Sequence, residues 1–189
     1  MNINKAIIKA DETLKKKNIR STKLDSEILM SKAILKDREY IILNPNKKLN
    51  KNLLNNFKDL IKQRSTGKPI AYLIGKKSFW NHEFKINENV LIPRPDTEII
   101  IEEALNLCKN KNKLQILDIG VGSGCIILSI LNEKKDFNGV GIDISKKCLD
   151  LSKLNAMKLG LASRVKFFKS DVDNFNYGKY DLIISNPPY

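Results

Sequence analysis

Ile3, Ala6, Ile7, Ala10 and Leu14 recur at helical spacing, which predicts an amphipathic helix at the start of the chain. Leu24, Ile28 and Leu29 predict a second helix with Ser21 or Thr22 at its N-cap, and residues 40–43 a short third one ended by Asn44-Pro45. Leu53, Leu54, Phe57, Leu60 and Ile61 mark a fourth, closed by Gly67 and Pro69. Apolar stripes of this kind bury themselves against one another, so the first part of the chain reads as a small helical bundle. The period then changes. Phe79, Phe84, Ile86, Val90 and Ile92 alternate loosely and predict a hairpin over 76–92, with Trp80 and the single His82 in packing or solvent-facing positions. After Pro93 and Pro95, Asp96 or Thr97 is placed to cap a helix bearing Ile99, Ile100, Ala104 and Leu105, with Glu98 in its first turn. Beyond that the pattern runs strand, helix, strand, helix, strand, strand, the second of these helices capped by Ser145 and ending near Gly160. Alternation of this kind predicts an α/β fold, a Rossmann-like, doubly wound parallel sheet with its sites at the carboxyl ends of the strands. The expected organisation is a helical domain over 1–68, a hairpin linker over 69–95 and a sheet domain over 96–189.

The first strand of that sheet carries the chemistry. Leu114-Gln115-Ile116-Leu117-Asp118-Ile119 runs into Gly120-Val121-Gly122-Ser123-Gly124 and then into an apolar helix. Glycines at 120, 122 and 124 let backbone approach a ligand where any Cβ would collide, and the helix start behind them presents N–H groups. Asn138-Gly139-Val140-Gly141-Ile142-Asp143 forms the next strand, and Asp143 stands 19 positions beyond Gly124. An acidic residue about 20 positions on is the usual partner of ribose hydroxyls, so a nucleotide-type cofactor is expected. The G-x-G-x-G spacing differs from the pyrophosphate fingerprint, and Asp118, two residues before the first glycine, would repel phosphates. A carboxylate there suits a ligand with a cationic amino-acid end, as S-adenosyl-L-methionine has. A third strand, Val165-Lys166-Phe167-Phe168, leads to Ser170-Asp171-Val172. There Asp171 either accepts from an adenine amino group, with Val172 against the ring, or only caps a turn.

The last strand, Asp181-Leu182-Ile183-Ile184-Ser185, reads as buried and opens into Asn186-Pro187-Pro188-Tyr189. This turn suits the gripping of a planar NH2 group. Asn186 offers a side-chain carbonyl, the proline peptide units offer carbonyls with no competing N–H, and Tyr189 offers a flat face. Taken alone it is equally a rigid strand exit.

Together, Asp118-Ile119-Gly120-Val121-Gly122-Ser123-Gly124, Asp143, Asp171 and Asn186-Pro187-Pro188-Tyr189 resemble the motif series of class I S-adenosylmethionine-dependent methyltransferases acting on amide or amino nitrogens. Pro69-Ile70-Ala71-Tyr72-Leu73, Gly75, Phe79-Trp80, Phe84 and Ile92-Pro93-Arg94-Pro95-Asp96-Thr97-Glu98 narrow this to a resemblance to the HemK/PrmC family. Its members methylate the glutamine amide of the Gly-Gly-Gln motif in peptide chain release factors. The resemblance runs from Pro69 onward; before that it is one of helical character. It implies S-adenosyl-L-methionine held at Asp118, Gly120, Val121, Gly122, Ser123, Gly124, Asp143, Asp171, Val172 and Asn186. It implies a substrate amide held by Asn186, Pro187, Pro188 and Tyr189, of which Asn186, Pro187 and Tyr189 serve the reaction. Arg94 either supports the substrate loop or pairs with a nearby acid. The family's sheet has seven strands, so a chain supplying four is expected to be an N-terminal fragment of the enzyme. The neighbouring alternatives are a glutamine methyltransferase of a ribosomal protein and an amino-methyltransferase of nucleic acid adenine. A nicotinamide oxidoreductase on the same sheet would leave the Asn-Pro-Pro-Tyr turn without a task, and a non-catalytic binding module is the remaining class.

Composition adds constraints. No signal peptide or membrane span is expected, because the first 17 residues are broken by Asn, Lys, Asp and Glu. Cys108, Cys125 and Cys148 form no C-x-x-C pair, which argues against metal or disulfide duty and for a reducing, cytoplasmic setting; Cys125 beside the glycine turn reads as small apolar packing. The net charge of +13 is uneven: residues 1–80 hold 19 Lys/Arg against 7 Asp/Glu, residues 81–189 hold 15 against 14. The basic part suits an acidic release factor, RNA or a ribosome, or reflects only a Lys-, Asn- and Ile-rich composition. The resemblance implies a release factor as partner; nucleic-acid contact is possible but not required, and no membrane and a monomeric state are expected.

Overall fold

The computed structural model describes residues 1–187, and the chain divides into two compact units, Met1–Gly75 and Lys76–Tyr189. The first unit holds α1 (Ile3–Lys15), α2 (Thr22–Ile34), α3 (Arg38–Leu43), α4 (Lys51–Ser65) and α5 (Ile70–Ile74). Asn2, Asp37 and Asn50 cap α1, α3 and α4 by accepting from the backbone N–H three residues on. Each such cap is worth about 1 kcal/mol. The stripes read from the sequence meet in a core of Ile3, Leu14, Leu29, Met30, Phe57 and Ile61. At α2 the boundary is as expected, but the Ser21 hydroxyl does not cap it; it donates to Asp25 Oδ1 at 2.9 Å. Asp25 has a larger task. Its Oδ2 meets Arg64 Nε at 2.7 Å with both side chains largely buried, and Arg64 Nη1 reaches Lys68 O at 3.1 Å. This pair ties the start of α2 to the end of α4.

The expected linker over 69–95 is divided differently by the structure. Residues 70–74 form α5, which packs on α2 and α4 with Ala71 and Leu73 buried, because Gly75 (φ +77°) supplies the left-handed C-cap that ends the helix. The hairpin follows in the second unit as β1 (Lys76–Phe79) and β2 (His82–Lys85), antiparallel and joined through Trp80 and Asn81. It is shorter than the alternation suggested, since residues 86–92 continue without strand pairing although Ile86 and Val90 are buried. Phe79 and Phe84 meet edge to face at 6.2 Å and anchor it.

A 3-10 turn (Pro95–Thr97) leads into α6 (Glu98–Leu107). The alternating elements are β3 (Gln115–Ile119), α7 (Cys125–Glu133), β4 (Asn138–Asp143), α8 (Lys146–Lys158), β5 (Val165–Lys169) and β6 (Leu182–Ser185). The four strands are parallel in the order β5-β4-β3-β6. Counted from β3 this is the 3-2-1-4 order of doubly wound sheets, with its reversal point between β3 and β6. Side-chain-free positions on β4 bring α7 close: a Cβ at Gly139 would lie 2.6 Å from Ile127 Cδ1. Leu128, Ile130, Leu131 and Phe137 fill the core beneath. β6, expected to be buried, has only Ile184 fully inside, because it stands at the edge of the four strands and turns Ile183 outward.

Candidate active site

The parallel register collects the chemistry-bearing residues at one sheet edge. Ile119 pairs with Ile142 on one side and with Ser185 on the other. Gly120, Asp143 and Asn186 therefore follow the ends of three adjacent strands. Ser185 secures this edge by donating its hydroxyl to Ile119 O at 3.1 Å.

The glycine turn is held from below and open above. The N–H groups of Gly120 and Val121 both donate to Ile142 O at 2.9 Å, and Gly122 N donates to Asp143 Oδ2 at 3.0 Å. Gly120, Gly122 and Gly124 have φ of +74°, +56° and +79°, which L side chains rarely adopt. A Cβ at Gly120 would meet nothing within 4 Å, and one at Gly122 only Gly120 O at 3.9 Å. The space above the turn is therefore free for a ligand to lie on backbone. Val121 and Ser123 point the other way, with 5% and 3% exposure, so any contact they make with a ligand is through the main chain.

Two residues of α8 set the turn's carbonyls, and the sequence reading did not single them out. Ser152 Oγ donates to Gly122 O at 2.8 Å, and Asn155 Nδ2 donates to Ser123 O at 2.9 Å. Asn155 also accepts from Lys85 N at 2.8 Å and donates to Lys85 O at 3.0 Å, so one buried amide joins β2 to the turn. Their signal was available: Ser152 and Asn155 are polar residues on the stripe of α8 that also carries Cys148, Leu149, Leu151 and Ala156.

Asp118 lies under the turn at 1% exposure. It accepts from the Ile127 N–H in the first turn of α7, a helix whose own N-cap residue is glycine, while its Oδ2 has no partner. Burial, with a smaller push from the Asp143 charge, raises its carboxyl to about 7 against the help of that N–H. Asp143 ends β4 with one oxygen on Gly122 N and the other on Ser145 N at 2.8 Å. A carboxylate offers about four acceptor positions, so hydroxyl groups can still be received there. Asp171, after β5, is exposed and engaged with its own loop: it accepts from Asn174 N and from Asn174 Nδ2, both at 2.8 Å. Turn capping is thus what Asp171 does in this structure, with Val172 exposed beside it. Cys125 is buried and its thiol is pushed up to about 12, chiefly by burial, which fits packing rather than reactivity.

Asn186 is half-buried, and its Nδ2 donates to Thr97 Oγ1 at 3.4 Å. Pro187 is exposed; Pro188 and Tyr189 lie outside the described residues. Arg94 is exposed and its carbonyl accepts from Thr97 N at 3.1 Å. Among the described residues no group of three His, Cys, Asp or Glu side chains could hold a metal ion, and no helix is long and apolar enough to cross a membrane. An open glycine cradle, a buried carboxylate beneath it with one oxygen unpartnered and a second carboxylate at the next strand's end fit a ligand carrying a cation and vicinal hydroxyls. S-adenosyl-L-methionine has both.

Comparison with known proteins agrees with this arrangement. Residues 5–75 match the PrmC N-terminal domain and residues 97–189 the methyltransferase small domain. The release factor glutamine methyltransferase of Leptospira interrogans is 40% identical over 96% of this chain and 65% of its own length. That of Buchnera aphidicola subsp. Schizaphis graminum is 40% identical over 100% of this chain and 67% of its own, and that of Clostridium acetobutylicum 38% identical over the same shares. The chain thus spans about two thirds of the length of the curated relatives it matches. An RNA methyltransferase from Salinibacter ruber in complex with S-adenosyl-L-homocysteine is similar at a TM-score of 0.44 and 22% identity, over 50% of this chain and 60% of that one. With identity of this order from end to end, the chain belongs to the release factor glutamine methyltransferase family.

Proposed function

We propose that the whole protein moves a methyl group from S-adenosyl-L-methionine to the side-chain amide nitrogen, N5, of the glutamine in the Gly-Gly-Gln motif of peptide chain release factors, breaking the methyl–sulfur bond to leave S-adenosyl-L-homocysteine and releasing one N–H proton to solvent. The observation that supports this reading is the pairing of Ile119 with Ser185, the residues immediately before Gly120 and Asn186 on neighbouring strands. An amide acceptor and a cofactor cradle thereby follow two adjacent strand ends. Gly120, Val121, Gly122, Ser123 and Gly124 would hold the cofactor through backbone, with Asp118 beneath its amino-acid end, Asp143 at the ribose, and Asp171 with Val172 toward the base. When bound, that cofactor supplies a methyl group on a sulfonium, an electrophile that needs no metal.

The chain's own residues must then overcome a weak nucleophile, since an amide nitrogen shares its lone pair with its carbonyl. Asn186 Oδ1 and the Pro187 carbonyl each accept one hydrogen of the glutamine NH2. Both acceptors strengthen as positive charge grows on nitrogen, so they favour the transition state over the ground state. They also fix the direction of the nitrogen lone pair. Tyr189 is assigned to the face of the amide. The helical unit is assigned to recognition of the protein substrate, the three buried free cysteines support a reducing, cytoplasmic setting, and the protein is taken to act as a monomer.

The test is methyl transfer from labelled cofactor to purified release factor, ribosomal protein and nucleic acid, with wild-type protein and Asn186→Ala. Loss of one such acceptor should cost about 2.7–4 kcal/mol, or roughly 100- to 1,000-fold in kcat. Transfer to release factor that survives Asn186→Ala, or transfer only to the other two substrates, overturns the proposal.

A further inference from the structure

Two neighbouring residues ahead of the sheet have tasks that the reaction so far leaves unassigned. Thr97 ends the 3-10 turn and stands at the N-cap of α6, yet its hydroxyl makes no capping bond. It receives Asn186 Nδ2 instead, across 89 positions of sequence. Glu98, the next residue, accepts from Trp80 N at 2.7 Å through Oε1. The Trp80 indole N–H in turn donates to Glu133 Oε1 at 2.8 Å, so the start of α6, the hairpin turn and the end of α7 are joined. Thr97 is therefore a fixed point rather than a mobile surface hydroxyl, and both it and Asn186 are half-buried.

We propose that Thr97 is a positioning residue for the transfer step: its hydroxyl takes the Asn186 NH2 and so turns the Asn186 carbonyl oxygen toward the incoming amide. This rests on the proposed role of Asn186. An asparagine side chain has two nearly isosteric ends, and only the oxygen end can accept from a substrate NH2. Free rotation about its last bond would present the NH2 end part of the time and pair donor with donor. The Thr97 hydroxyl engages one end, and the β6–β3 pairing with the Ser185 bond holds the backbone that carries the other. The two anchors come from different elements, so the amide plane is defined by both.

The experiment compares Thr97→Val, which keeps the shape and removes the hydroxyl, with Thr97→Ser and Thr97→Ala in the whole protein. Methyl transfer to release factor is measured together with S-adenosyl-L-homocysteine affinity by calorimetry. Thr97→Val and Thr97→Ala are expected to lower kcat about tenfold with cofactor affinity unchanged, and Thr97→Ser to restore it. That magnitude corresponds to one ordinary hydrogen bond. In an Asn186→Ala background, Thr97→Val is expected to cost nothing further. Wild-type kcat in both Thr97→Val and Thr97→Ala overturns the inference, as does a full additional loss in the Asn186→Ala background. An Asn186→Ala protein with wild-type kcat instead refutes the parent reading, and the two failures are told apart by that control.

Discussion

Replacing Asp118 by Asn exchanges a buried acid for an amide of the same shape, and the burial sets the sign of the effect on stability and its order of magnitude. Burial is the main cause that lifts the Asp118 carboxyl from 3.8 to about 7. The folded protein therefore keeps a proton on this group over a range of pH in which the unfolded chain has lost it. The stabilisation from that proton is fully present below pH 3.8 and is lost as pH rises through about 7. Each pH unit inside the window is worth about 1.4 kcal/mol, so the part of the change between pH ~5 and pH ~8 is about 2–3 kcal/mol. An amide at this position keeps an acceptor for the Ile127 N–H and does not titrate. Urea unfolding of the ligand-free protein, followed by Trp80 fluorescence, reports on the unit that contains Asp118, because the chain has a single tryptophan. The unfolding free energy of wild type minus that of Asp118→Asn should fall by about 2–3 kcal/mol from pH ~5 to pH ~8. All other carboxylates titrate in both proteins and cancel. Parallel pH profiles for the two proteins would refute the assignment of a neutral, buried Asp118.

Two further expectations concern the polar groups that hold each unit. Asn155→Ala leaves Ser123 O without its donor in a buried position and frees β2, so a loss of about 2–4 kcal/mol in urea unfolding is expected, along with weaker S-adenosyl-L-homocysteine binding by calorimetry. An unchanged ligand affinity would show that Asn155 serves the hairpin and not the turn. Asp25→Ala strands the largely buried Arg64 guanidinium and should destabilise the helical unit by about 3–5 kcal/mol, read as an early far-UV circular dichroism transition. Pairing it with Arg64→Met should recover part of the loss; no recovery would mean that the ion pair is not what Asp25 provides.

The strand–helix alternation, the glycine turn and Asp143 were legible because they rest on local signals, namely period, turn chemistry and spacing. The stripes of α1 to α4 were legible for the same reason. What was not legible depends on partners distant in sequence. Ser21 and Thr97 look like N-caps from their neighbours, but Ser21 donates its hydroxyl to Asp25 and Thr97 Oγ1 accepts from Asn186 Nδ2 instead. Residues 70–74 were read with the hairpin, because a five-residue helix is too short for a periodic signal and is held by contacts with α2 and α4. Asn155 makes bonds 70 and 32 positions away, which no window of sequence contains. Asp171 illustrates the opposite case: a local explanation, bonds to Asn174 three residues on, accounts for both its oxygens.

The side-by-side placement of Thr97 and Glu98 carries a consequence for the length of the first turn of α6. Consecutive residues at a helix start point about 100° apart, which is how one junction reaches toward the strand exit and toward the hairpin at once. Buried Ile101 and Ala104 hold the rotation of α6, so adding or deleting a single amino acid between Glu98 and Ile101 would rotate both directions together. Neither hydroxyl nor carboxylate would then meet its mate, even though every side chain involved was still in the gene. A tract whose exact count governs two separate alignments tolerates replacement of its letters far better than any change in their number.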